Sequence, residues 1–267
     1  ARVLHDKVRD TGRVFCLTHN YTGYPMVRQA RSMVESGELG EIRLVQVEYV
    51  QGGKAKPLER KPGAAIPWRF DPEKGGPSLV MGDIGTHAHN LVRYITGLEF
   101  SEVAAEIGTI VPDRRIHDFG GALFHLTNGA RGMFWVTQAA AGVENCLKVR
   151  VSGSLGTVEW WQEFPQRLTH RLLDEPYREF TPNGVGTSEL CKRSCRIVKG
   201  HPEGFPEAFA NLYGDAAEAI AARKTNTTPD PMAMTFPNSW DGLKGVEFVA
   251  AAMESSNNGG RWVKVGE

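Results

Sequence analysis

The chain has 267 residues, 31 of them basic and 31 acidic, so its formal net charge at pH 7 is zero. That length suits one large domain or two modest ones and allows a sizeable hydrophobic core. A chain with no net charge and no basic run is not expected to bind nucleic acid or an anionic membrane. No apolar run is long enough to span a bilayer, and residues 1–10 carry charges where a signal peptide would be apolar.

The four cysteines do not have the spacing of a zinc site, because no two of them form a Cys-x-x-Cys pair. Cys16 and Cys146 lie in apolar, strand-like runs and are expected to be small core residues. Cys191 and Cys195 would face one another across one helical turn. This pattern favours reduced thiols and a cytoplasmic protein.

The first forty residues follow a helix–strand–helix pattern. Residues 1–10 have apolar side chains at helical spacing, and the run RVFCLTHNY, residues 13–21, predicts a buried strand of the parallel kind. Pro25 then opens a second amphipathic helix. This rhythm is typical of a doubly wound α/β sheet, although one parallel strand cannot form such a sheet alone.

After Gly40 the pattern changes to strands at short intervals. A strand is predicted at IRLVQVEYVQ, a long exposed loop at residues 52–67, and a helix at residues 82–97. Asn128–Gly129 is a hairpin signal between two later strands. Two more helices are predicted near Pro206–Ala222 and Ser239–Ser256. The further predicted strands are EVAAEIGTI, GALFHLTN, RGMFWVTQ, CLKVRVSG, GTVEWW, RLTHRLL and RWVKV.

This succession of strands predicts an α+β domain over residues 41–267 with a large, mainly antiparallel open sheet. Strict alternation along the strands implies that helices cover one face and leave the other open. Either Phe134 or Trp135, and either Trp160 or Trp161, would lie on that open face. A partner subunit normally covers an apolar face of this size, so we expect a homo-oligomer through the open sheet face.

The segment GDIGTHAHN, residues 82–90, brings one carboxylate and two imidazoles close together in the chain. In a helix that starts near Asp83, His87 shares a face with it, whereas His89 lies about 200° around the helix from His87. The three side chains therefore do not converge easily on one metal ion. Three interpretations remain open: Asp83 caps the helix, Asp83 and His87 form an acid–base pair, or the segment binds a metal.

Four segments can be compared with known families by their order and spacing. They are THNYTGYPMVRQARSMVESGELGEI, PWRFDPEKGGPSLVMGDIGTHAHNLVRYITG, VSGSLGTVEWW and SWDGLKGVEFVAAAMESSNNGGRWVKV. They resemble the glucose-fructose oxidoreductase / inositol dehydrogenase / MocA (Gfo/Idh/MocA) family, whose members are NAD(P)-dependent dehydrogenases of sugars and cyclitols. The resemblance implies that residues 1–40 are the remnant of a dinucleotide-binding (Rossmann) domain. Residues 41–267 would be the C-terminal domain for substrate binding and oligomerisation.

The resemblance also implies roles for five residues. The family's Asp-x-x-x-His falls on Asp83 and His87, with His87 as the acid–base group for the hydroxyl proton and Asp83 as its helper. Both would contact the substrate. The family's Trp-Arg falls on Trp68 and Arg69, near the nicotinamide and the substrate, and its Asn falls on Asn20, at the cofactor. The alternative for Trp68 is a packing residue under a loop. No metal is expected.

Two family motifs are absent from the 267 residues. No Gly-x-Gly-x-x-Gly follows a strand, and the Glu-Lys-Pro motif whose Lys assists hydride transfer is missing. We therefore expect an N-terminally truncated part of an NAD- or NADP-dependent dehydrogenase that oxidises a hydroxyl of a sugar or cyclitol. The alternatives are a non-catalytic oligomeric scaffold or sugar-binding fragment of the same fold, and a metal-dependent hydrolase.

Overall fold

The structure, a computed structural model, describes residues 1–57, 59, 63, 65–76 and 78–266. It begins with two helices. Helix α1, Arg2–Thr11, ends where Gly12 adopts a left-handed conformation, and helix α2, Pro25–Glu35, has proline at its first position. Proline is tolerated there because the missing N–H would have had no partner in the helix. Both helices predicted for the first forty residues are therefore confirmed.

The strand predicted between these helices is wrong. Residues 13–19 form neither helix nor strand, and Asn20–Gly23 form a 3-10 turn. No strand in the described part of the chain pairs with this run. Instead, the Leu17 N–H donates to the carbonyl of Pro237 at 2.8 Å, and the Leu17 side chain lies beside Gly242. The run is also less buried than predicted, since residues 14–17 are only half-buried and His19 alone of residues 13–19 is buried. A parallel strand also needs neighbouring strands to bond with.

In the described part of the chain, nine strands form one sheet in the order β8-β7-β6-β5-β1-β4-β3-β2-β9. Among these strands β1 and β4 run parallel, and every other neighbouring pair is antiparallel, which confirms the predicted sheet. The short edge strand β8 was not predicted. The strands are β1 Ile42–Val50, β2 Phe100–Gly108, β3 Phe119–Leu126, β4 Arg131–Thr137, β5 Cys146–Gly153, β6 Gly156–Trp161, β7 Leu168–Leu172, β8 Arg178–Phe180 and β9 Val263–Lys264.

Helices lie against one face of this sheet. Helix α3, Thr86–Thr96, and helix α6, Ser239–Asn257, pack on it together with α2. Helix α4, Glu189–Arg193, packs on α2, and helix α5, Phe205–Thr225, packs on the turn Asn20–Gly23. Phe248 of α6 packs its ring against those of Phe100 and Phe134 on the covered face. The late helices α5 and α6 were predicted, whereas the short helix α4 was not.

The other face of the sheet is open, and alternation decides which aromatic residues it carries. Phe134 and Trp160 are buried under the helices. Trp135 is 46% exposed and Trp161 is 36% exposed, so these two lie on the open face. The predicted open face is confirmed. Of the two aromatic pairs, Trp135 and Trp161 are the members that lie on it.

Helix α5 holds the turn Asn20–Gly23 in place. Asn211 donates from Nδ2 to the carbonyl of Gly23 at 2.9 Å. A Cβ at Gly23 would lie 2.1 Å from the carbonyl oxygen of Ala208, so only glycine allows this close approach. The buried ion pair between Arg28 and Asp215, 2.6 Å, ties α2 to the same helix. The residues on either side of the turn are therefore rigidly placed.

None of the helices in the described ranges is long and apolar enough to cross a bilayer. All four cysteines are free. Burial raises the pKa of the Cys16 thiol to about 11, which keeps it protonated. The Cys195 thiol lies 3.3 Å from the carbonyl oxygen of Cys191, one helical turn away as expected.

Candidate active site

Polar side chains from three parts of the chain meet at one edge of the sheet. The parallel strands β1 and β4 end at Val50 and Thr137, and the residues after each strand reach Asp83, ahead of α3. Parallel strands direct their carboxyl ends to the same edge, which is where open α/β sheets collect ligand-binding residues. Five residues of the loop predicted at 52–67, namely 58, 60–62 and 64, lie outside the described residues.

Asp83 lies in a π-helical turn, Met81–Gly85, that leads directly into α3. Such turns widen a helix locally and are frequent at functional sites. The backbone is already helical at Val80, and no side chain caps the turn or α3. The interpretation of Asp83 as a helix cap is therefore wrong.

The Asp83 carboxylate belongs to a charged cluster with Lys54 and Gln138. Lys54 Nζ donates to Asp83 Oδ2 at 2.9 Å and to Gln138 Oε1 at 2.7 Å. Gln138 Nε2 donates to the same Asp83 oxygen at 2.9 Å. Burial disfavours the charged carboxylate, but the hydrogen bonds from Lys54 and Gln138 outweigh it, and the pKa of Asp83 lies below its usual value. Asp83 therefore carries a negative charge at neutral pH.

His87 lies in an aromatic enclosure. Its Nδ1 is 3.2 Å from Nδ1 of His19, and the rings of Tyr21 and Tyr49 approach it edge-on, with centroids 5.2 Å and 6.4 Å away. Burial lowers the pKa of His87 to about 4, although the charge of Asp83 acts in the opposite direction. Its Nε2 makes no hydrogen bond with any described residue. His87 is therefore a neutral imidazole with one ring nitrogen available to a ligand.

A chain of hydrogen bonds joins the charged cluster to this enclosure. Gln138 Nε2 donates to Gln51 Oε1 at 3.0 Å, and Gln51 Nε2 donates to Asn145 Oδ1 at 2.6 Å. Tyr49 donates to the same Asn145 oxygen at 2.9 Å, and its hydroxyl is also hydrogen-bonded to that of Tyr21. Burial raises the pKa of Tyr49 far above its usual value, so the hydroxyl remains neutral. The wall of the site is thus fixed by bonded, uncharged groups.

No hydrogen bond between Asp83 and His87 accompanies the predicted acid–base pair among the described residues. The structure places both residues at one site, but Lys54 and Gln138 occupy the carboxylate, and His19 occupies Nδ1 of His87. Asp83 acts on His87 only through its charge. Sequence reasoning missed His19, Lys54 and Gln138. Two signals were available: Lys54 lies in the long exposed loop predicted at residues 52–67, a kind of loop that is often functional, and Gln138 directly follows a strand.

The other predicted site residues lie close by. Arg69 stacks over the ring of Trp68 at 4.6 Å, and the Trp68 side chain is 56% exposed, which argues against its alternative as a packing residue under a loop. The charge of Arg69 also helps to lower the pKa of Asp83. Asn20 is buried, and its Nδ2 has no hydrogen-bond partner within the described ranges. A buried donor of this kind suits an amide or hydroxyl oxygen of a ligand.

His89 is separate from the site. Its ring lies between those of Phe100 and Phe248 in the core, with centroids 4.6 Å and 4.8 Å away. Among the residues that the structure describes, no group of three or more His, Cys, Asp or Glu side chains could hold a metal ion.

Residues 27–159 match the family model described as the GFO/IDH/MocA C-terminal domain. The chain is also 41% identical to the solved structure of an oxidoreductase from Sinorhizobium meliloti, with a TM-score of 0.85, over 98% of this chain and 68% of that one. The chain belongs to the GFO/IDH/MocA family. The predicted family and fold class are thereby confirmed.

Two further GFO/IDH/MocA relatives bear on function. One is an inositol dehydrogenase homologue from Azotobacter vinelandii, solved in complex with NADH and myo-inositol. It is 30% identical with a TM-score of 0.87, over 98% of this chain and 67% of that one. The other is the uncharacterised oxidoreductase YfiI of Bacillus subtilis, 31% identical over 95% of this chain. This chain spans 65% of the length of YfiI.

Proposed function

We propose that this chain forms the substrate-binding and proton-transfer part of an NAD(P)-dependent dehydrogenase that oxidises one hydroxyl of a sugar or cyclitol. Residues 1–40 would belong to its dinucleotide-binding domain and residues 41–267 to its substrate and oligomerisation domain. The observation that carries the proposal is the neutral His87 imidazole, whose Nε2 makes no hydrogen bond with a described residue, beside the charged cluster. The relative that binds NADH and myo-inositol supports the substrate class.

The chemistry follows from the protonation states of the site. When bound, nicotinamide supplies the hydride acceptor for the substrate C–H bond. The hydroxyl proton of the same carbon would pass to Nε2 of His87, whose imidazole is neutral at neutral pH. The imidazolium that forms is stabilised by the negative charge of Asp83. A weakly basic imidazole next to a fixed carboxylate thus receives the proton and can release it again.

The charged cluster is suited to orient a polyol. Lys54 and Gln138 both bond Oδ2 of Asp83, and no described residue bonds Oδ1, so Oδ1 can accept a hydrogen bond from a substrate hydroxyl. Arg69, close enough to influence the pKa of Asp83, would donate to a second hydroxyl. A ligand with several hydroxyls has the alternating donors and acceptors that this cluster requires.

Three residues would hold the nicotinamide end of the cofactor. Asn20 offers a buried Nδ2 without a partner among described residues, and this donor fits an oxygen of the cofactor. Trp68 and Arg69 form a stacked, partly exposed pair that would cover the ring. These three residues therefore fit the nicotinamide end of the cofactor.

The test is a substrate panel with the full-length gene product that contains this chain. We expect at least one cyclitol or sugar to reduce NAD or NADP, which is measured as an increase in absorbance at 340 nm. Carbon acids that carry no hydroxyl group should give no reduction. Binding of polyols without reduction of either cofactor would overturn the dehydrogenase assignment in favour of a sugar-binding scaffold.

We also propose that copies of the chain pair through the open sheet face. Four apolar side chains on this face are about half exposed, beside charged side chains that already pair with one another, Arg150 with Glu159 among them. A contiguous apolar patch of this kind marks an interaction surface, and two-fold pairing is the commonest way to bury it. The four apolar residues are Leu44, Leu123, Met133 and Trp135.

This interface can be tested by adding charge. Trp135→Asp places a carboxylate in the apolar patch, so light scattering should give the mass of a monomer where the unmodified protein gives a dimer or larger. Val14→Asp, in the extended segment of residues 13–19, is the matched control and should leave the mass unchanged. A monomer in the unmodified protein, or a dimer that survives Trp135→Asp, would contradict the proposal.

A further inference from the structure

The contact between His19 and His87 constrains where protons lie in the site. The two Nδ1 atoms are 3.2 Å apart, and the rings meet at 81° with centroids 4.8 Å apart. A hydrogen bond at this distance needs one proton between two nitrogens, so one imidazole donates and the other accepts. If His19 donated, His87 would carry its proton on Nε2 and could not take another there.

We propose that His19 is a positioning residue, which accepts a hydrogen bond from Nδ1–H of His87 and so keeps Nε2 of His87 free of a proton. The inference rests on the proposed role of His87 in taking the substrate's hydroxyl proton. In a neutral histidine, the hydrogen bond made by one ring nitrogen decides the state of the other. His19 thus orients the His87 ring by a hydrogen bond, whereas Asp83 acts on it through its charge.

His19 is held firmly enough to orient a second ring. It is buried, its N–H donates to the carbonyl of Leu17 at 2.8 Å, and its carbonyl accepts from the Thr22 hydroxyl at 2.9 Å. The turn that follows is clamped by α5 through Asn211. Since Lys54 and Gln138 hold the Asp83 carboxylate, His19 is the hydrogen-bond partner that the described residues offer to Nδ1 of His87.

The charges near the two histidines indicate which ring carries a proton that enters the pair. Burial lowers the pKa of His19 to about 3, and the charges of His87 and Arg93 act in the same direction. The pKa of His87 is about 4, with Asp83 raising it against the effect of burial. The neighbouring charges thus favour a proton on His87, because Asp83 raises the pKa of His87 and Arg93 lowers that of His19. After proton transfer from the substrate, the same hydrogen bond stabilises the His87 cation.

The direct test is the tautomer of His87, read from the ¹⁵N shifts of histidine-labelled protein at pH 7. We expect Nδ1–H and bare Nε2 on His87 in the unmodified chain, and a mixture of tautomers in His19→Leu. In His19→Asn, the amide oxygen occupies the position of Nδ1 and should restore the Nδ1–H form. His170→Asn, which changes a buried histidine outside the site, is the control and should leave His87 unaltered.

Measurements of kcat and KM on the full-length gene product give a second test of the proposal. His19→Leu should lower kcat by roughly 10–100-fold, the usual effect of losing an orienting partner, with little change in KM. His19→Asn should recover most of that loss. An Nε2–H tautomer of His87 in the unmodified protein, or unchanged tautomer and kcat in His19→Leu, would overturn the proposal. Expected tautomers in a protein without dehydrogenase activity would refute only the proposed function and leave the hydrogen bond established.

Discussion

Asp83 and His87 lie four residues apart, yet their surroundings lower their pKa values for opposite reasons. The pKa of Asp83 is low because Lys54 and Gln138 stabilise its charged form against burial. The pKa of His87 is low because burial destabilises its charged form. A fixed negative charge therefore stands beside a neutral base. Helical spacing explains why the two residues are close, whereas neighbours from distant parts of the chain give them different roles.

Removing the base should have the largest effect. We expect His87→Ala in the full-length gene product to reduce turnover by roughly 10²–10⁴-fold, because that is the usual contribution of a general acid–base group. His125→Ala is a matched control: its Nδ1 lies 2.5 Å from Glu102, so it is also an imidazole beside a carboxylate, but outside the site. Equal turnover in both variants would show that His87 has no special role.

Removing the fixed charge should have a smaller effect. Asp83→Asn should reduce turnover by roughly tenfold, the equivalent of one pKa unit in the protonation of His87. Because the Asp83 charge raises the pKa of His87, the acidic limb of the pH–rate profile should move to lower pH in this variant. A limb that moves to higher pH would contradict the electrostatic coupling.

The two halves of the site should also lose their contribution to stability over different pH ranges. The pKa values of His19 and His87 are about 3 and about 4 in the folded protein, below the usual value of 6.5. The contribution of these two histidines to stability is complete above about pH 6.5, where they are unprotonated in both the folded and the unfolded chain. This contribution is lost as the pH falls toward the pKa values of the folded protein, because the unfolded chain binds protons at a higher pH than the folded protein does. The pKa of Asp83 is lowered from 3.8, so its contribution is lost only at still lower pH.

Urea unfolding at pH 7, 6 and 5 measures this difference. The free energy of unfolding of the unmodified chain should fall more steeply with decreasing pH than that of His19→Asn. The difference between the slopes should approach ~1.4 kcal/mol per pH unit, the value for one proton. Parallel slopes in the two proteins would mean that His19 is not held neutral by the fold.

Much of this arrangement could be predicted from the sequence, but the partners of the key groups could not. Alternation in Arg131–Thr137 and the spacing of Asp83 and His87 are local patterns, and the structure confirms both. The run at residues 13–19 has an equally apolar pattern, yet it forms no strand because pairing depends on neighbours elsewhere in the chain. His19 precedes His87 by 68 residues, and no periodicity connects them.

Proton transfer from the substrate hydroxyl to His87 can be tested by chemical rescue of His87→Ala with imidazole. The substitution leaves a space where the imidazole stood, next to the Asp83 charge, and added imidazole can enter it as a substitute base. With saturating polyol and NAD(P), we expect the turnover of His87→Ala to rise in proportion to the imidazole concentration, while the unmodified enzyme does not respond. A His87→Ala enzyme that binds polyol and cofactor normally but gains no turnover from imidazole would contradict proton transfer at this position.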